Sequence, residues 1–203
     1  MRAIVVGGAG FIGSHLVDAL LHNGHDVTVV DDYATGKREN IDSRASVVQG
    51  DIRDVHQLKK HFGGQDAVFH LAALPSVPRS IKDPLTTTAV NVLGTVHVLA
   101  AAHACGVKRV IYSSSSSIYG DAVVSPKTES LAPNPKSPYG ASKLAAEEYC
   151  RAFYRVYGLE TLSLRYFNVY GPRQDPASQY AAVVPRFVTA ALRRASPAIY
   201  GDG

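Results

Sequence analysis

The sequence predicts an α/β fold: a doubly wound parallel sheet with helices on both faces, followed by the start of a small C-terminal lobe. Two observations carry that expectation. Short apolar runs rich in β-branched residues alternate with helix-period segments from the first residue onward, and strands separated by helices require right-handed crossovers and a parallel sheet. The runs are also nearly continuous in apolar character, as a sheet buried on both faces demands.

The elements follow in order. Arg2–Val6 is a strand-length run ending in glycines, and FIGSHLVDALLHNG continues it with Phe11, Ile12, Leu16, Ala19 and Leu20 on one helical face and Gly24 as a stop. DVTVVDD, SVVQGD, DAVFHLAA, KRVIYSSS and ETLSLRYFN are the next strand candidates. The clearest helical segments between them are Pro84–Cys105 and Tyr139–Tyr157. Asp121–Pro138, rich in Pro, Ser and Lys, is a loop rather than a domain linker, because periodicity resumes directly after it. After Arg165 the chain turns to YFNVYGPRQDPASQY and a helical VVPRFVTAALRR, then reaches AIYGDG in what reads as the middle of a fold. Residues 1–166 are therefore expected to form one domain, and residues 167–203 the incomplete beginning of a substrate-binding region.

Composition narrows the function classes. The net charge of +4 is spread along the chain without a run of five like charges, unlike the basic stripe of a nucleic-acid binder. A mildly basic chain suits an anionic ligand. Cys105 and Cys150 lie far apart without metal-ligand spacing and read as small core residues. MRAIVV runs straight into the glycines with no apolar leader, and the long apolar stretch Ala89–Val107 is broken by Asn91, His97 and His103. A buried helix fits that stretch better than a membrane span. The expectation is a cytoplasmic protein with no nucleic-acid, membrane or metal partner.

Two motifs carry chemistry. Gly7, Gly10 and Gly13 form GxxGxxG, and Gly8 with Gly10 and Gly13 also satisfies GxGxxG, between the first strand and first helix. Glycines there let backbone N–H groups approach a pyrophosphate above a helix N-terminus carrying roughly half a positive charge. Asp31 ends the next strand, where a carboxylate holds a ribose diol. Together they predict a dinucleotide site of the Rossmann type. A carboxylate repels a 2′-phosphate, so NAD is favoured over NADP, although Lys37 and Arg38 follow within reach of such a phosphate. Asp51, ending the third strand, can reach the adenine edge. The second motif is YxxxK, Tyr139 and Lys143, one helical turn apart. A free phenol titrates near 10 and is a poor base; bringing it to neutrality takes roughly 4 kcal/mol. Lys143 together with an oxidised nicotinamide is expected to supply that. The five serines Ser113–Ser117 close a strand where hydroxyls project into the ligand crevice of open α/β sheets.

With these landmarks in order, the chain resembles the extended short-chain dehydrogenase/reductases, specifically the NAD-dependent epimerase/dehydratase family. The shared runs are VVGGAGFIGSHL, Asp31, GDIRD, FHLAA, NVLGT, SSSSSIYG, SPYGASK and LRYFNVYGPRQDP. The resemblance implies that Ser115, Tyr139 and Lys143 are catalytic, and that Phe11, Ile12 and the backbone of Leu71, Ala72 and Ala73 line the NAD site. It extends that site to Asp32, Gly36, Ile52, Ser113 and Phe167. Asn91 is a further candidate, balanced against a buried helix network. The implied activity is 4-epimerisation of a nucleotide sugar, of UDP-glucose or UDP-N-acetylglucosamine type, by transient oxidation at C4. Ser115 and Tyr139 would then hold the sugar, Asn168 the diphosphate region, and Val183 with Ala198, Ile199 and Tyr200 the start of a uridine pocket.

The chain departs from the family pattern in places. Val6 stands where Thr is frequent, and His97 where Asn is frequent, read as a change on the helix surface. Ser116 and Ser117 occupy positions where 4,6-dehydratases carry an Asp-Glu pair and decarboxylases a nearby Glu. Without a carboxylate there, elimination lacks its acid and base. A decarboxylase, a 4,6-dehydratase or an NAD-binding chain without turnover remain the alternatives. Family members continue for roughly another hundred residues, so weak or absent turnover is expected of the isolated chain. The resemblance also implies a homodimer, with the helices Pro84–Cys105 and Tyr139–Tyr157 pairing as a four-helix bundle.

Overall fold

A computed structural model describes residues 1–175 and 183–199. The chain divides into two compact units, Met1–Tyr166 and Phe167–Gly203.

The first unit is built on six parallel strands: β1 (Arg2–Val6), β2 (Asp26–Asp31), β3 (Ser46–Gln49), β4 (Ala67–His70), β5 (Arg109–Ser115) and β6 (Glu160–Tyr166), in the order β3-β2-β1-β4-β5-β6. The order reverses between β1 and β4, which opens a crevice at the carboxyl ends of those two strands. β1 is central, and Ala3, Ile4, Val5 and Val6 are fully buried. Its alternation splits the core. Ala3 and Val5 join Val17, Val27 and Val29 under α1 (Phe11–His22). Ile4 and Val6 join Leu58, Val98, Val110 and Ala146 under α2 (Val55–Phe62), α5 (Gly94–Ala104) and α6 (Pro138–Tyr157). Burial of each such Val or Ile contributes roughly 1.5–3 kcal/mol.

Helix starts follow capping chemistry. Asp54 accepts from the Gln57 N–H at the head of α2, and Ser76 from Arg79 at the head of α3 (Val77–Lys82). Asp83 accepts from Thr86 at α4 (Pro84–Thr88), and Ser137 from Gly140 at α6. α1 differs: Gly10 supplies no side-chain cap and the first turn holds no acidic residue. The expected helix over Pro84–Cys105 is continuous through Ala104, but Ala89–Leu93 forms a π turn between α4 and α5. That wider turn places Asn91 in the interior. His97 is not the surface change expected: it is half-buried on α5, with a buried Nδ1. In the second unit, α7 covers Val183–Leu192, two residues short of the expected helix, and Arg194 takes a left-handed φ of 52°.

Candidate active site

The turn from β1 to α1 is a preformed anion cradle. Gly7 has φ +85°, and a side chain there would meet the Ala72 nitrogen at 2.5 Å. A Cβ on Gly13 would fall on the Gly7 carbonyl and within 2.9 Å of the Gly8 Cα. Both residues are glycine because backbone occupies the space. Gly10 is different, since the nearest atom to a Cβ there is 3.4 Å away. The uncapped first turn of α1 is thus open where Gly10, Phe11 and Ile12 face outward, as a pyrophosphate requires.

The carboxylate beside this cradle is fixed by it. Asp31, at the end of β2, accepts from the Ala9 N–H at 2.9 Å and the Tyr33 N–H at 2.8 Å. Burial raises its pKa from the ordinary carboxylate value, opposed by those two hydrogen bonds. Gly36 packs against Ala9 and Asp31, drawing the following loop over the glycine turn. Asp32 is exposed and accepts from the Ala34 N–H. Asp51 pairs with Arg53, which holds its carboxyl below the usual range, and Ile52 is buried against Gly94. Across the switch point, the Leu71 and Ala72 N–H groups both donate to Val6 O, at 2.8 and 2.9 Å, and Ala73 follows them.

At the end of β5 the catalytic candidates meet. The Tyr139 side chain, at the start of α6, comes near enough to Ser115 for that hydroxyl to pull the phenol pKa down. Ser115 Oγ also lies 3.1 Å from Ser117 Oγ and accepts from the Ser117 N–H at 3.1 Å. Lys143, 3 % exposed, donates from Nζ to the Ser113 carbonyl at 2.8 Å and lies 5.9 Å from the Tyr139 ring centre. Burial lowers Lys143 to about 8. Burial raises the Tyr139 pKa, only partly opposed by the Ser115 bond. The expected acidified phenol is therefore not a property of the chain alone, because desolvation outweighs the Ser115 hydroxyl that opposes it.

Ser80 and Ser142 support the site without having been singled out in the sequence, whereas Asn91 was, both as a cofactor candidate and as part of a buried helix network. Ser80, fully buried on α3, accepts from the Tyr139 N–H at 3.0 Å. Asn91 accepts from the Leu74 N–H at 2.8 Å and donates to Ser142 Oγ at 3.1 Å, while Ser142 donates to the Tyr139 carbonyl at 2.7 Å. Its amide thus links the loop after β4 to the first turn of α6.

His70, the last residue of β4, is fully buried; its Nε2 lies 2.9 Å from Thr95 Oγ1, which donates to the Asn91 carbonyl. Thr95 therefore receives the proton from Nε2–H, and the ring is neutral. Burial, then the Lys143 charge, holds its pKa down to about 3 against 6.5 unfolded. Between these values the unfolded chain binds a proton that the folded one does not, so stability falls as pH drops below 6.5. At pH 5 the loss is about 2 kcal/mol. Urea midpoints at pH 7.5 and pH 5 should show that drop, and His70→Gln should flatten it; an equal drop in the variant assigns the acid sensitivity elsewhere.

The remaining candidates fall in the second unit. Phe167 and Asn168 begin it, both exposed, Val183 opens α7, and Ala198 with Ile199 lies beyond α7. Tyr200 is outside the described residues.

Comparison with known proteins identifies the family. The profile of the NAD dependent epimerase/dehydratase family matches residues 3–203. A UDP-N-acetylglucosamine 4-epimerase from Methanobrevibacter ruminantium, solved with UDP-N-acetylmuramic acid, is 44 % identical with a TM-score of 0.94, covering 100 % of this chain and 66 % of that one. A UDP-glucose 4-epimerase from Thermotoga maritima, solved with UDP-glucose, is 43 % identical with a TM-score of 0.95, over 100 % of this chain and 67 % of that one. That of Thermus thermophilus, in complex with NAD, is 42 % identical with a TM-score of 0.89, over 96 % of this chain and 64 % of that one. The chain spans about two thirds of the length of the relatives it matches, 66 % and 67 % for two of them.

Proposed function

The chain belongs to the NAD dependent epimerase/dehydratase family, and from that premise we propose that it binds NAD and epimerises a UDP-hexose at C4. The observation that carries this reading is the meeting of buried Ser115 and half-buried Tyr139, backed by buried Lys143, at the carboxyl end of β5.

Gly10, Phe11 and Ile12 would hold the pyrophosphate, and Asp31 the adenosine ribose. Leu71, Ala72 and Ala73 would flank the dinucleotide, with Asp32, Gly36, Asp51 and Ile52 toward the adenine end. Bound NAD supplies a hydride acceptor for C4 and a positive charge in the crevice. Tyr139, relieved of its proton in that field, takes the proton of the sugar 4-hydroxyl, while Ser115 donates a hydrogen bond to the same oxygen. Lys143, bonded to Ser113 O, stays mostly protonated at neutral pH and holds positive charge behind the phenol. Once the sugar has turned its other face, Tyr139 returns the proton and the carbinol is restored with inverted configuration. Ser116 and Ser117 offer no carboxylate, so the C4 ketone formed on the way has no partner for eliminating water. Asn168, Val183, Ala198, Ile199 and Tyr200 are assigned to the nucleotide end, and Phe167 and Ser113 to the nicotinamide end.

We place the protein in the cytoplasm as a homodimer. Leu85 (82 % exposed) and Leu93 (49 %) on the π-interrupted helix, with Tyr149 (43 %) and Tyr154 (58 %) on neighbouring α6, leave the apolar surface that a four-helix bundle would cover. Light scattering should give twice the protomer mass; a monomer removes that assignment. Incubation with UDP-glucose, followed by NMR of the anomeric protons, should give UDP-galactose, at a low rate from this chain by itself. A 4-keto-6-deoxy product, or carbon dioxide from UDP-glucuronate, would move the chain to a dehydratase or decarboxylase.

A further inference from the structure

Glu147 has no part in the chemistry above, yet it is the carboxylate closest in sequence to the catalytic pair on α6. It follows Lys143 by one turn and Tyr139 by two, so the three residues share one face of the helix. Glu147 is 2 % exposed. Its Oε1 accepts from Ser114 Oγ at 2.5 Å and from Arg165 Nε at 3.0 Å, and its Oε2 from Arg165 Nη2 at 2.9 Å. The more exposed Arg151 guanidinium reaches Oε2 only at 3.9 Å. Arg165 also donates from Nη1 to the Tyr119 hydroxyl at 2.9 Å and stacks its guanidinium 5.0 Å from the Tyr119 ring centre.

These partners are the neighbours of every catalytic group. Ser114 sits between Ser113, whose carbonyl takes the Lys143 ammonium, and Ser115, whose hydroxyl meets Tyr139. Ser114 and Arg165 face each other in the β5–β6 register. Tyr119 ends the short 3₁₀ turn Ser116–Tyr119 that leaves β5 directly after Ser115. One carboxylate therefore ties α6 to β5, β6 and that turn at the same level as the reacting hydroxyls. An ion pair largely shielded from water adds little net stability over apolar side chains of the same volume, but its fork geometry admits one arrangement.

We propose that the Glu147–Arg165 pair is a positioning device that sets α6 against β5 and so fixes the Ser115–Tyr139 contact. The activity readout rests on the epimerase reading above. Removing one partner leaves a buried charge and threatens folding, so the main variant is the apolar double replacement Glu147→Met with Arg165→Met. It should unfold at or near the wild-type urea midpoint and retain bound NAD. Its kcat should fall about a hundredfold, the scale of a displaced reacting group, with KM within about twofold. The acid limb of its pH profile should move upward as Tyr139 loses its Ser115 contact. A purely structural pair would leave kcat and that limb in place, and that result in the folded double variant overturns the proposal. Should the double variant fail to fold, Arg165→Lys keeps the charge and loses the fork; it should show a smaller drop of the same kind, and unchanged kcat and limb there are equally fatal. Should the wild type convert no UDP-hexose, the functional reading fails by itself. Tyrosinate titration against a Tyr139→Phe background then decides the positioning role, supported by a shifted phenol in the variants and overturned by an unshifted one.

Discussion

Tyr139→Phe should lower kcat by roughly 10²–10⁴-fold, the range lost with a positioned acid–base group, while NAD content and folding stay near wild type. The ring remains in place, because Ser80 holds the Tyr139 N–H and Ser142 its carbonyl. The change removes the phenol oxygen and turns a proton-transfer site into an apolar wall. Ser115 keeps its contacts with Ser117, so no buried donor is orphaned on that side. Steady-state turnover of UDP-galactose, with nucleotide released from denatured protein and weighed by mass spectrometry, separates the two effects. A variant that keeps NAD and more than about a tenth of wild-type kcat would put the proton acceptor elsewhere.

Gly13→Ala should empty the dinucleotide site. The added methyl collides with the Gly7 carbonyl, and neither partner can retreat. Gly7 N donates to Val30 O at 2.8 Å, and the Ala72 backbone closes the opposite side. Relief requires α1 to move away from β1, carrying with it the N–H groups of Gly10, Phe11 and Ile12. Overpacking of this kind costs roughly 1–3 kcal/mol of stability, and moving the helix start should lower NAD affinity by about a hundredfold. Gly63→Ala is the control, since Gly63 has φ −57° and nothing within 4 Å of a Cβ. It should keep full nucleotide content. Equal NAD in the Gly13 variant and the control would mean that the phosphate is bound elsewhere.

The strands were readable as compact apolar runs; β1 and β2 end where their glycines or acids begin, while β5 runs three residues into its serines. β4 ends at His70 rather than continuing through HLAA, since Leu71 and Ala72 both turn their N–H groups to Val6 O. Periodicity also could not reveal the π turn at Asn91, because Ala89–Ala104 is apolar on nearly every side, so the phase shift made by one extra residue leaves no break to read. In the site, residue identity and spacing gave the glycine cradle, Asp31, Ser115, Tyr139 and Lys143. They did not give the direction of the Lys143 ammonium, which turns to a main-chain carbonyl, or the burial that raises the phenol. Spacing fixes which side chains share a helical face; desolvation depends on what the rest of the chain packs over them. The Tyr139, Lys143, Glu147 ladder was written in the sequence at intervals of four, but its partner Arg165 comes from a strand eighteen residues further on.

The central claim is that the chain oxidises and restores one carbon of a nucleotide sugar without releasing what it removes. UDP-glucose carrying deuterium at C4 tests it directly, with turnover in ordinary water and NMR of the UDP-galactose formed. Retention of deuterium at C4, with no loss to solvent over many turnovers, is the expected result. Replacement of the label by solvent hydrogen at C4 would contradict it.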